Sequence, residues 1–158
     1  MPIDVDSLLI KEWPITGGNM HDSSVTPGMV DSTRTYSYVL ADSAYDTSEI
    51  YDYIFENAHS LPMIDTNRRR RIRNDRLTVN RRIGIELRKE YSSMYSMRWE
   101  IERTFSILKE ILGMEYIWYV KHRNYDIAIG EIIVAYNCIV MANKITGISG
   151  RKIMYIVI

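Results

Sequence analysis

YSYVLADSAYDTSEIYDYIFENAHSLPMI, residues 36–64, is the stretch that decides the fold. Residues 36–41 (YSYVLA) are aromatic and apolar, are bounded by polar residues, and read as a buried strand that ends at Asp42. Asp46-Thr47-Ser48-Glu49 is a helix start, with Asp46 as cap candidate and an acid three residues on. The helix is predicted over residues 48–57, and residues 61–64 follow as a short strand. Strand, helix and strand in this compact order predict a βαβ unit with a parallel pair, hence an α/β fold. Asp42 then stands where a buried strand gives way to a loop, the edge at which open α/β sheets bind ligands. A turn or cap is the commoner use of an aspartate there.

Upstream, residues 3–5 and 8–13 read as two short strands joined near Asp6-Ser7, a hairpin-like signal. Residues 16–29 are rich in Gly, Asn, Ser and Pro and read as loop with a short helix. Downstream, residues 66–89 read as a basic insertion or loop. A long helix is predicted over residues 90–112, stopped by Gly113. Residues 125–144 (YDIAIGEIIVAYNCIVMANK) form a second long helix, apolar enough to raise a membrane span. Glu131, Asn137 and Asn143 interrupt it, and a buried core helix is the better reading. The tail IMYIVI is open between a disordered end and an added strand. There is no internal repeat.

YSMRWEIERTFSILKEILG, residues 95–113, carries the chemistry. At ~100° per residue on a helix, Tyr95, Arg98, Glu102 and Lys109 lie at about 0°, −60°, −20° and −40°, in one polar sector. Ile101, Phe105, Leu108 and Leu112 form an apolar stripe beside it, at about −80° to −140°. A carboxylate flanked by a guanidinium, an ammonium and a phenol suits a metal-and-phosphate site. The same charges suit a solvated face, with Arg98–Glu102 an ordinary i, i+4 pair. Asp42 and Glu102, carboxylates on separate elements, are a donor set for Mg²⁺. Two such ions about 3.5–4 Å apart activate a water or hydroxyl and stabilise the leaving oxygen in phosphoryl transfer. No Ser/His/Asp arrangement and no Gly-rich phosphate loop competes with them.

The 158 residues, 46% hydrophobic and 25% charged, describe one soluble globular domain with a real core. The single cysteine, Cys138, excludes an internal disulfide and a zinc-type cluster. The start MPIDVDSLLIKEW has no basic region followed by an apolar run, so it is not a signal peptide, and an intracellular protein is expected. Net charge is zero but uneven: residues 68–89 hold ten Arg or Lys against two acids, Asp75 and Glu86. Arg68, Arg69, Arg70, Arg71 and Arg73 are its densest run. Such a segment is the footprint of polyanion binding, or else a solvated loop. The acidic remainder argues against a protein that simply coats DNA.

The spacing Tyr95-(2)-Arg98-(3)-Glu102-(6)-Lys109 resembles the Y-R-E-K signature of bacterial and archaeal insertion-sequence transposases of the DDE type. LADSAYDTSEIYDYI, residues 40–54, resembles the segment around their second catalytic aspartate, with Asp42 in that place. ITGGNMHDSSV resembles their T-x-G-N-x-H-D loop, at residues 16–22; His21 and Asp22 match it without a catalytic task. The resemblance spans about residues 3–145. It implies a ribonuclease-H-like mixed sheet flanked by helices, and Mg²⁺-dependent cutting and joining of transposon ends. It makes Asp42 and Glu102 the catalytic metal ligands. Arg98 and Lys109 would contact DNA phosphates, and Tyr95 would stack on a base or hydrogen-bond the DNA backbone near the cleavage point. It implies DNA as partner, a dimer or larger assembly, no membrane, and a cytoplasmic, nucleoid-associated place.

In that family the first catalytic aspartate ends a strand upstream of a hairpin like residues 3–13, where this chain starts. Asp4 and Asp6 fit a turn better than a ligand site. The expectation is a single partial catalytic domain over residues 1–158, a carboxy-terminal fragment without its first strand or its amino-terminal DNA-binding region. Such a fragment would bind metal weakly and cleave poorly. The alternatives are a non-catalytic DNA-binding remnant or inhibitor of full-length transposase, and an unrelated interaction module.

Overall fold

The computed structural model of the protein describes residues 1–14, 29–30, 38–67, 76–118 and 121–149. The loop at residues 16–22, the arginines at 68–71 and 73, and the tail after residue 149 lie outside them. The chain divides into two compact units, Thr16–Arg98 and a second made of Met1–Ile15 with Trp99–Ile158. Each is described by itself.

In the first unit, strand β1 (Tyr38–Ala41) leads through helix α1 (Ser48–Glu56) to strand β2 (Leu61–Ile64). The strands pair in parallel, from Tyr38 opposite Leu61 to Ala41 opposite Ile64. This is the expected βαβ unit. Its core is Val30, Ile50, Tyr51, Ile54, Ala58 and Ile64, with Val39, Ala41, Tyr45 and Tyr53 packed around it. On α1 the buried residues are Ile50 and Tyr51 with Ile54 one turn on, which together form one face.

Part of the segment read as a basic loop is a helix. Val79–Glu90 forms α2, whose N-cap Thr78 accepts a bond from the Arg81 amide. Arg88 and Lys89 stand in its last turn, where cations favour the helix dipole. Its charges hid a short inner face, Arg81 and Gly84, and the face works because Gly84 has no side chain. A Cβ there would lie 2.4 Å from the Tyr51 ring and 2.9 Å from the Pro62 carbonyl oxygen.

The predicted single helix over residues 90–112 is four pieces. α3 (Ser92–Tyr95) passes into a 3₁₀ turn (Ser96–Arg98), then α4 (Trp99–Ser106), then a π turn (Ile107–Ile111). The Ser96 hydroxyl bonds the Ser93 carbonyl, a side-chain bond that competes with the helical ladder. Leu112 N–H reaches back to the Ile107 carbonyl at 3.1 Å, closing the wide turn. Angles from a uniform wheel therefore do not carry from Tyr95 to Lys109. Gly113 ends the run at φ 74°, the left-handed conformation expected of it.

In the second unit, helix α5 (His122–Ile145) buries Ile129, Ile133, Tyr136, Val140 and Asn143, spaced by three or four residues. Leu8, Ile10 and Leu108 complete this core. α5 is long and apolar enough to cross a membrane by length and composition alone; one stripe of it lies in this core, while Ile127, Val134, Met141 and Ile145 are exposed, so it is not the fully buried helix expected. The predicted hairpin is reduced to one antiparallel bridge, Ile3 with Ile10. The place of a partner strand beside Ile10 is taken by Asn137, whose amide accepts from Ile10 N–H at 2.9 Å and donates to Ile10 C=O at 3.0 Å.

Candidate metal and phosphate site

Asp42 and Asp65 are the first residues after β1 and β2. Parallel pairing puts both strand ends on one edge of the sheet, so the two residues follow neighbouring strand ends there. Asp42 Oδ1 accepts the Ala44 amide at 2.8 Å, capping the 3₁₀ turn Ser43–Tyr45, and its backbone is extended. Asp42 is solvent-exposed, and its Oδ2 is the oxygen that takes no part in the cap.

Tyr95 joins this edge: its hydroxyl donates to the Ala41 carbonyl at 3.0 Å. The Arg88 guanidinium lies over its ring, 4.4 Å from the centroid, and Arg88 Nη2 meets Asp65 Oδ1 at 3.1 Å. Burial raises the Tyr95 hydroxyl pKa above the ordinary value, and the negative charges of Asp65 and Asp42 add to this, while Arg98 and Arg88 oppose them. Asp42 and Arg98 are therefore both close enough to act on Tyr95 within this unit.

Behind the edge is a buried ion pair absent from the sequence reading. Arg81 Nη2 lies 2.9 Å from Asp46 Oδ1, with side chains 3% and 2% exposed. The approach is an ion contact rather than a well-angled hydrogen bond. Asp46 Oδ2 accepts the Asn67 amide at 2.8 Å. Arg81 also sits 5.9 Å from the Tyr51 ring centroid. Asp46 was expected as the α1 cap; that position belongs to Thr47, which makes no side-chain cap bond. The signal that would have found the pair is an apolar-facing arginine, Arg81, three residues before Gly84.

Glu102 and Lys109 are in the second unit, exposed on α4 and the π turn. The boundary between units falls after Arg98, so the four residues of the polar sector are divided two and two. Asp4 is committed to a turn: Oδ1 accepts the Asp6 and Ser7 amides and Oδ2 the Ser7 hydroxyl at 2.6 Å. Among the described residues no cluster of three or more His, Cys, Asp or Glu gathers around one point. What the strand-end edge offers is hard oxygen donors next to fixed cations, the donor set that suits Mg²⁺ and phosphate.

A family model described as a transposase DDE domain matches residues 1–138. The chain has no match among curated proteins or among solved structures.

Proposed function

The chain belongs to the transposase DDE-domain family, and on that premise we propose that it is a catalytic-domain portion whose chemistry is DNA strand cleavage and strand transfer at transposon ends. The fold proposed around the βαβ unit is ribonuclease-H-like. Asp42 and Glu102 are the proposed metal ligands, with Mg²⁺ as the ion. When bound, Mg²⁺ supplies Lewis-acid stabilisation of charge on the reacting phosphate. Arg98 offers a planar fork for two phosphate oxygens and Lys109 a compact point charge. Arg68, Arg69, Arg70, Arg71 and Arg73 extend the phosphate contacts along the DNA.

One observation supports this most: Asp42 stands at the carboxyl end of a parallel strand, with one oxygen capping its own turn and the other outside that cap. That is the place and the donor an α/β sheet uses for a ligand. The test is a Mg²⁺-dependent nicking assay with Asp42→Asn and Glu102→Gln. Both substitutions are expected to abolish nicking; activity that survives both rejects the assigned ligands.

A non-catalytic DNA-binding remnant, or an inhibitor that pairs with full-length transposase, is the alternative. The commitment of both Asp4 oxygens favours it, because that early acid is not free to serve as the first ligand. In that case DNA binding persists without nicking and weakens steeply with salt, as counterion release demands.

A further inference from the structure

Tyr95 is built into the protein at its hydroxyl end. The Ala41 carbonyl that accepts it at 3.0 Å also accepts the Asp65 amide at 3.2 Å. A carbonyl oxygen has two lone pairs, so both are used. The peptide joining Ala41 to Asp42 cannot rotate without breaking two bonds, and the next side chain is Asp42. The tyrosine is itself held. Arg88 covers its ring at 4.4 Å while reaching Asp65 at 3.1 Å, and that same Asp65 oxygen accepts the Thr66 amide at 3.2 Å. The guanidinium thus ties α2 to α3 and to the end of β2, and Tyr95 reaches the end of β1.

We propose that Arg88 and Tyr95 form a positioning strut that fixes the Asp42 carboxylate for a divalent cation, and that Tyr95 acts through the Ala41 carbonyl rather than by touching DNA. The strut rests on the reading of Asp42 as a metal ligand. It requires a phenol that stays protonated.

The experiment is a Mn²⁺ titration of the full chain followed by electron paramagnetic resonance, beside DNA affinity measured in chelator. Tyr95→Phe and Arg88→Met are expected to weaken Mn²⁺ binding about tenfold, the effect typical of a lost outer partner of a metal ligand. DNA affinity in chelator should stay unchanged, and Arg88→Lys should recover most of the loss. Tyr95→Phe that weakens DNA binding while leaving Mn²⁺ affinity unmoved overturns the strut. Asp42→Asn is the control: if it leaves Mn²⁺ binding intact, the ligand reading fails, and the clamp is judged alone. Its readout is the Tyr95 signal in carbon-13 spectra of tyrosine-labelled protein, identified by its loss in Tyr95→Phe. Arg88→Met must shift that resonance, because the guanidinium over the ring is removed, and Asp65→Asn must shift it by loosening the guanidinium; a signal that neither variant moves rejects the clamp as well.

Discussion

Arg81→Met isolates the buried ion pair behind the strand ends. The arginine and Asp46 are 3% and 2% exposed and 2.9 Å apart. Removing the cation strands a buried carboxylate that keeps the Asn67 amide and the Tyr51 hydroxyl as partners but no countercharge among the described residues. Breaking a buried pair from one side costs about 3–5 kcal/mol. Lost contact with the Tyr51 ring at 5.9 Å adds little, because that distance is at the limit of a useful cation–π interaction. With a urea slope of about 1.5 kcal/mol per molar, the midpoint should fall by roughly 2–3 M. The assay is urea unfolding followed by far-ultraviolet circular dichroism. Asp46→Leu combined with Arg81→Met should regain most of the loss, since an apolar pair of similar size is often neutral. It should not regain all of it, because the Asn67 amide then lacks its acceptor, at about 1–3 kcal/mol. A loss below about 1 kcal/mol for Arg81→Met would refute the reasoning, since that is the size of a solvated pair. So would strictly additive effects of the two substitutions, which would mean the side chains do not interact.

Gly84→Ala should destabilise the first unit by about 1–3 kcal/mol, the usual cost of overpacking, since the new methyl meets Tyr51 and the Pro62 backbone; thermal unfolding reads it. Asn137→Ala should cost about 1–3 kcal/mol through the orphaned Ile10 amide and carbonyl, and amide exchange at Ile10 should speed up more than at Val140. Burial, then the Asp46 charge, pushes the Tyr51 hydroxyl far above its ordinary range. The folded chain therefore keeps a proton that the unfolded chain releases near pH ~10, so stability holds below that pH and declines above it. Tyr51→Phe should make the alkaline decline shallower in urea titrations at several pH values, with Tyr95 and Tyr136 sustaining the remainder.

The βαβ unit was legible because its signals are local: an apolar run, an acid-rich helix start and a second apolar run within 29 residues. Residues 61–64 were bounded correctly, and β1 is described over Tyr38–Ala41, with residues 36–37 of the reading outside the described residues. Gly113 was legible because only a left-handed φ explains a glycine after a helical stripe. The pieces after Glu90 were not, because a 3₁₀ or π turn leaves the apolar spacing nearly unchanged over two turns. α2 was missed because its inner face has an arginine and a glycine where a pattern search expects leucine. At the site, Asp42 was read from its place at a strand end, whereas the partners of Tyr95 were not. A bond from residue 95 to the carbonyl of residue 41 leaves no trace in side-chain periodicity.

The Asn137 clamp has a bearing on how the chain is made. Residues 3–10 have their fastenings very late: Ile10 is bonded by a residue 127 positions on, and the Leu8 carbonyl by the Tyr136 hydroxyl, 128 positions on. At about 5–20 residues per second, translation takes roughly 6–25 s to cover that distance. During that interval the opening segment has emerged while the amide that will hold it does not yet exist. The βαβ unit, complete by residue 64, has no such wait. A nascent chain halted before Asn137 should expose residues 3–10 to protease, and the released chain should protect them.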